Sequence, residues 1–197
     1  GKSDMFLKKI RDELWMNVVP TPYLMYVRLL EEIFGAEYKF EVINASQATH
    51  GQYLNLSYQT DAVKMAIERL KNYDGAIIAD VVGLGKSIIA STVAANFPDI
   101  NTVIIAPPHL VPMWDDYRTE FRLPGARVYS SGKIEDAYDA YKNTTEPLIF
   151  IIDEAHRYRN EDTQDYQLLH QLTRSHIGNK VLVLSATPFN NDPKDIF

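Results

Sequence analysis

From Ser57 onward the chain alternates between two kinds of apolar pattern. Ala76–Ala79, Thr102–Ala106, Leu148–Ile152 and Val181–Leu184 are unbroken apolar runs too short for helices. Leu148–Ile152 in particular is strongly β-branched, and such runs predict strands buried on both faces. Arg127–Ser130 predicts a further short strand. Between them, residues 58–72, 86–96, 109–121, 133–142 and 164–175 carry the spacing of amphipathic helices. Strands alternating with helices predict βαβ units, and so an α/β fold with a parallel sheet covered on both faces. Right-handed crossovers then bring the loops that follow the strands to one edge, where ligands bind in such sheets.

Before Ser57 the pattern differs. Met5, Phe6, Ile10, Leu14 and Trp15 fall near helical spacing over residues 3–18, with Ser3 or Asp4 as the cap. Pro20 and Pro22 break the chain. A second helix is expected from Tyr23 to Phe34, with Leu24, Val27, Leu30, Ile33 and Phe34 on one side and Gly35 as its stop. Residues 36–57, polar and without periodicity, read as a connector. The expected division is a helical extension over residues 1–50 and a core domain over 51–197.

Composition narrows this picture by exclusion. A chain of 197 residues with ordinary apolar content can bury a sizeable core. The absence of cysteine rules out disulfides and thiolate metal sites. No apolar run approaches the ~18 residues of a membrane span. No signal-peptide pattern is visible at the start, so a cytoplasmic location without membrane partners is expected. A net charge of −6 gives no support to nucleic-acid binding, although a local basic stripe can sit on an acidic domain.

Two motifs carry candidate chemistry. The first, Asp80-Val81-Val82-Gly83-Leu84-Gly85-Lys86-Ser87, follows one predicted strand and opens a helix. A triphosphate needs many donors and little side-chain bulk. Gly83 and Gly85 let backbone N–H groups turn inward around the phosphates, and the helix N-terminus adds its positive partial charge. Lys86 would reach the β and γ phosphates, and the Ser87 hydroxyl would ligate Mg²⁺. Asp80 stands where the strict phosphate-loop pattern has its first glycine; without the chemistry, the stretch is a Gly-containing turn with a surface lysine. The second motif, Asp153-Glu154-Ala155-His156, ends the Leu148–Ile152 run. Asp153 would hold Mg²⁺ through its water shell, and Glu154 would orient and deprotonate an attacking water. The bland alternative, a solvated acidic turn, is weakened by the phosphate loop upstream.

These residues carry a resemblance. Gly83–Ser87, Asp153–Arg157 and Leu184-Ser185-Ala186-Thr187-Pro188 resemble motifs one, two and three of superfamily-two helicases. The Gly-Leu-Gly-Lys spelling after Asp80, and the run Asp153 to Asn160, are more similar to Swi/Snf-type DNA translocases than to DEAD-box or DEAH-box RNA helicases. Ile104–Trp114 resembles motif Ia, Tyr129-Ser130-Ser131 motif Ib, and Leu56-Ser57-Tyr58-Gln59 the upstream glutamine motif. Val81, Val82 and Ser87 depart from the family's more usual spelling, but serine keeps the hydroxyl.

The resemblance implies a RecA-like, P-loop NTPase fold: a three-layer αβα sandwich with a mainly parallel sheet. It implies ATP and Mg²⁺ as cofactors and a DEAH-type box. Lys86, Asp153, Glu154 and His156 would serve catalysis, Ser87 and Asp153 the metal, and residues 80–87 the phosphates. Gln59 would read the adenine, unless it is an ordinary helix-start glutamine. His156 would bond toward Ser185, Thr187 or a bound group, unless it is a structural histidine. Ser185, Ala186 and Thr187 would relay nucleotide state, and their bland role is to cap a turn. Pro107, Pro108, His109 and Leu110 would touch the backbone of a nucleic acid, double-stranded DNA above all, or form an ordinary strand-to-helix turn. Trp114 is expected to pack in the core. The implied activity is an ATP hydrolase of helicase or translocase type, coupling Mg-ATP hydrolysis to movement along nucleic acid. Its second RecA-like lobe, with the arginines that complete the site, is expected outside this chain, leaving the isolated piece nearly inactive. A restriction-type translocase lobe and a standalone nucleotide-switch module are the alternatives.

Overall fold

In the computed structural model, residues 40–79, 85–158 and 160–185 are described. The helices expected over 3–18 and 23–34 lie outside the described residues.

The fully apolar run Leu148–Ile152 sets the architecture. It forms a strand, β4, buried along its whole length. Five strands make one parallel sheet: β1 (Gly75–Ala79), β2 (Asn101–Ala106), β3 (Arg127–Ser130), β4 and β5 (Lys180–Ser185), in the order β1-β5-β4-β2-β3. The helices are α1 (Ala45–Ala48), α2 (Ser57–Tyr73), α3 (Lys86–Ala95), α4 (Val111–Glu120), α5 (Ile134–Tyr141) and α6 (Gln164–Thr173), with 3₁₀ turns at Pro108–Leu110, Ser131–Lys133 and Ala155–Tyr158.

Alternation along the central strands divides the core in two. Ile149 and Ile151 of β4, with Ile104 of β2 and Leu182 and Leu184 of β5, meet Val63, Ile67 and Leu70 of α2, Ile89 and Val93 of α3, and Trp114 of α4. Leu148, Phe150 and Ile152, with Val103 and Ile105, meet Ile134 and Ala137 of α5 and Leu169 and Leu172 of α6. Each such large side chain removed from water contributes roughly 1.5–3 kcal/mol. The result is a three-layer αβα sandwich, and the sheet is parallel throughout the described residues.

The expected connector over 36–57 contains a structured piece. Asn44 accepts from the Gln47 backbone N–H while the Gln47 side chain accepts from the Asn44 backbone N–H, a capping box on α1. Phe40, Val42 and Ala45 pack into the first core cluster, so the described residues from Phe40 onward form one compact unit.

Two polar ties lock elements far apart in sequence. Lys180 Nζ donates to the Leu70 carbonyl at 2.8 Å and meets Asp74 Oδ1 at 2.9 Å, capping the C-terminal end of α2 from β5. Buried Asn179 accepts from the Leu148 N–H at 2.9 Å and donates to the Thr173 carbonyl at 3.2 Å, so one side chain joins the start of β4 to the end of α6. Asn179→Ala leaves the Leu148 N–H buried without its acceptor. An expected loss of roughly 1–3 kcal/mol should appear in a urea melt as a lower midpoint with an unchanged slope.

Candidate nucleotide site

The carboxyl ends of β1, β5 and β4 line up at one sheet edge. Ala79, the last residue before the phosphate-loop stretch, pairs across from Ser185 at the end of β5. Since β5 lies between β1 and β4, Ser185 sits between the entrance to that stretch and the acidic motif that follows β4. Asp80, Val81, Val82, Gly83 and Leu84 lie outside the described residues, as do Ala186 and Thr187. The described part of the loop begins at Gly85, the N-cap of α3, followed by half-buried Lys86 and Ser87.

Gly85 has φ +84°, a left-handed conformation that carries a steric cost for any residue with a Cβ. A Cβ built there would also lie 2.7 Å from Gln59 Nε2, so any larger residue has to push the end of that side chain aside. Gln59, buried on the first turn of α2, is thereby set directly against the end of the phosphate loop. A narrow cleft beside it is lined by Asn44, Asn55, Leu56 and Thr60. The glutamine motif and the phosphate loop, some 25 positions apart in the sequence, therefore share one wall.

Asp153 is the most constrained polar group of the site. It is only 5% exposed. Its backbone N–H donates to the Ile105 carbonyl at 2.8 Å, extending the sheet by one residue toward β2. Its Oδ2 accepts from the Trp114 indole N–H at 2.9 Å, and its Oδ1 accepts from the Glu154 backbone N–H at 2.9 Å. Burial pushes the Asp153 carboxyl above its usual range; those two donors, together with the Lys86 charge, act in the opposite direction. The influence of Lys86 on Asp153 brings the two motifs into one electrostatic environment.

Glu154 turns the chain sharply. Its φ is +52°, in the left-handed region, where a residue other than glycine is uncommon. Asp153 and Glu154 both lie beyond β4, so this turn, and not the pleat of a strand, separates the two carboxylates. Glu154 Oε2 lies 3.0 Å from His156 Nδ1, and both side chains are partly open to solvent.

On the next strand, buried Pro107 is followed by exposed Pro108 and His109 and half-buried Leu110. The Leu110 N–H donates to the Pro107 carbonyl at 2.9 Å, closing a 3₁₀ turn that leads directly into α4. Trp114, one turn into α4, is fully buried, as its apolar character leads one to expect. Its hydrogen bond to Asp153 is the feature that sequence reasoning missed. An indole at that position signals burial; its acceptor, 39 residues away, becomes visible only once β2 and β4 pair.

The donor set suits Mg²⁺. Ser87 and Asp153 are hard oxygen donors, and Mg²⁺ keeps several of its waters when few protein ligands reach it. Among the described residues there is no cluster of three or more His, Cys, Asp or Glu side chains that could hold a metal without a nucleotide. No helix among the described residues is long and apolar enough to cross a membrane.

Comparison with known proteins gives this site its context. Residues 77–196 match the family model "ATPase family associated with various cellular activities (AAA)". The chain is 27% identical over 161 residues to the "Uncharacterized ATP-dependent helicase YqhH" of Bacillus subtilis (strain 168), an alignment covering 72% of the chain and 28% of that protein. It is 25% identical over 187 residues to the human "DNA repair and recombination protein RAD54-like", covering 71% of the chain and 24% of that protein. The chain thus spans about a quarter of the length of these curated relatives. The "Sulfolobus solfataricus SWI2/SNF2 ATPase core in complex with dsDNA" superposes with a TM-score of 0.61 at 17% identity, covering 72% of this chain and 34% of that one. The parallel sandwich is therefore the RecA-like P-loop fold, and the chain belongs to the AAA family of ATPases, as an ATPase domain related to the ATP-dependent helicases.

Proposed function

We propose that this domain binds Mg-ATP at the sheet edge and supplies half of the machinery that hydrolyses it, within a DNA translocase of Swi/Snf type. The observation that carries the reading is the buried carboxylate of Asp153, held by two donors just beyond β4, at the same sheet edge from which the strand before Lys86 and α3 emerges. A cation facing the phosphates and a dry, preoriented carboxylate are what phosphoryl transfer asks of a protein, since its catalysis rests on positioning and charge stabilisation.

In this reading the Lys86 ammonium and the N-terminal N–H groups of α3 bind the β and γ phosphates. Residues 80–85 wrap them, and Gln59 bonds the adenine from its place beside Gly85. Ser87 and Asp153 would hold Mg²⁺, which when bound spreads the charge of the phosphate oxygens. Glu154 accepts the proton of the attacking water, and His156, 3.0 Å away, restrains its carboxylate. Ser185, next to the loop and the acidic motif, passes the nucleotide state onward with Ala186 and Thr187. The exposed turn Pro108–Leu110 offers a contact for the backbone of double-stranded DNA. The charge that opposes the γ phosphate comes from a second RecA-like lobe of the longer protein. The alignments, which cover about a quarter of each curated relative, support that division.

Three outcomes test this. Lys86→Ala should weaken ADP binding roughly 10- to 100-fold, as expected for loss of hydrogen bonds to a charged group, measured by calorimetry in the presence of Mg²⁺. Gly85→Ala should weaken binding too, because it strains the loop end and displaces Gln59; a titration matching the parent would remove Gln59 from the site. In the whole protein, Glu154→Gln should keep nucleotide affinity within about twofold while steady-state turnover falls by a factor of 10² or more. Unchanged turnover would exclude Glu154 as the base.

A further inference from the structure

We propose that Trp114 is a positioning residue for the carboxylate that would hold Mg²⁺: its indole N–H, together with the Glu154 N–H, fixes the orientation of Asp153 and leaves each oxygen a lone pair for a further partner. The inference rests on the nucleotide-site reading above and extends it to a residue that touches neither nucleotide nor metal.

Trp114 is 0% exposed. Packing alone would be served by phenylalanine or leucine, whereas a buried indole N–H must find an acceptor. Most side-chain hydrogen bonds go to backbone or water. This one goes to the carboxylate of the acidic motif, at 2.9 Å. A second donor, the Glu154 N–H, takes the other oxygen at 2.9 Å. With one N–H on each oxygen, rotation of the carboxylate would break both bonds inside a dry site. Each oxygen still has a lone pair for a further partner.

The indole is itself fixed. Its ring meets Tyr117 edge-on at a centroid distance of 5.8 Å. Tyr117 contacts Phe121 and Tyr53 at 6.0 and 6.1 Å. The Tyr53 hydroxyl donates to Glu120 Oε2 at 2.6 Å, so both ends of this aromatic row are held by α4 and the segment before α2. Outer residues that orient a metal's ligands through hydrogen bonds typically change metal affinity by about 10- to 100-fold when removed.

Trp114→Phe keeps an aromatic ring in the core and removes the donor, at some cost in stability from the smaller ring. The probe is ADP with MgCl₂, titrated calorimetrically into the full 197-residue chain. The expected result is that ADP affinity in excess EDTA matches the parent, while the Mg²⁺ concentration giving half of the metal-dependent gain rises about tenfold or more. A merely structural indole would lower the melting temperature and leave that concentration unmoved, and this result overturns the inference alone. A parent chain that binds ADP identically with and without Mg²⁺ overturns both the inference and the site reading. If Trp114→Phe does not fold, the parent supplies the test. Trp15→Phe leaves Trp114 as the chain's single indole. Its N–H resonance should shift when Mg²⁺ is added to the ADP-saturated protein, and a resonance that does not move refutes the role.

Discussion

Asp153 accepts from Trp114 and from the N–H of Glu154 while almost wholly removed from water, and the candidate site is organised around that arrangement. An ionised carboxylate in a dry setting is costly unless donors satisfy it. Here the donors come from α4 and from the turn that the chain takes at Glu154. The strand beneath Asp153 has no polar side chain to offer, because β4 is apolar from Leu148 to Ile152. The apolar strand fixes the backbone, the turn fixes one oxygen, and the helix after the neighbouring strand fixes the other. Solvent has little part in deciding where this carboxylate points. The left-handed Glu154, a strained conformation of the kind found at functional sites, is the local cost of that design.

Sheet order gives the arrangement its reach. With β5 lying between β1 and β4, the loop after β1 and the turn after β4 flank Ser185. Gln59 reaches the same edge by another route, from the first turn of α2, with its amide close against Gly85. Four segments distant in sequence thus converge at one sheet edge.

Much of this was legible in the sequence, and the reasons are specific. Leu148–Ile152 could only be a strand buried on both faces, and β4 has the predicted limits. Helices α2 to α6 fall within about two residues of their expected bounds, because their apolar spacing and their breakers agree. What escaped detection was of another kind. The capping box of α1 lies in a stretch without apolar periodicity, where only the Asn44–Gln47 spacing announces it. The bond between Trp114 and Asp153 links two motifs that looked independent, and an indole's burial says nothing about its acceptor. The separation of Asp153 from Glu154 comes from a left-handed turn, which local sequence does not mark with a glycine.

The position of β1 has a consequence for how the domain assembles. Among the described residues β1 lies at the edge of the sheet and pairs with β5 alone, Gly75 opposite Val181 and Ala79 opposite Ser185. The clamp between Lys180 and Asp74 bridges 106 residues of chain. β2, β3 and β4, by contrast, find one another over shorter stretches. A ribosome releases β1 about a hundred residues before β5, the strand's one hydrogen-bonding neighbour among the described residues. Until then one backbone edge of β4 stays open beside a wholly apolar strand, the kind of surface that aggregates or recruits chaperones. The late insertion of β5 is therefore the step that closes the sheet and anchors the strand leading into the phosphate loop. During biosynthesis, nucleotide can reward folding only after nearly all of the domain has left the ribosome.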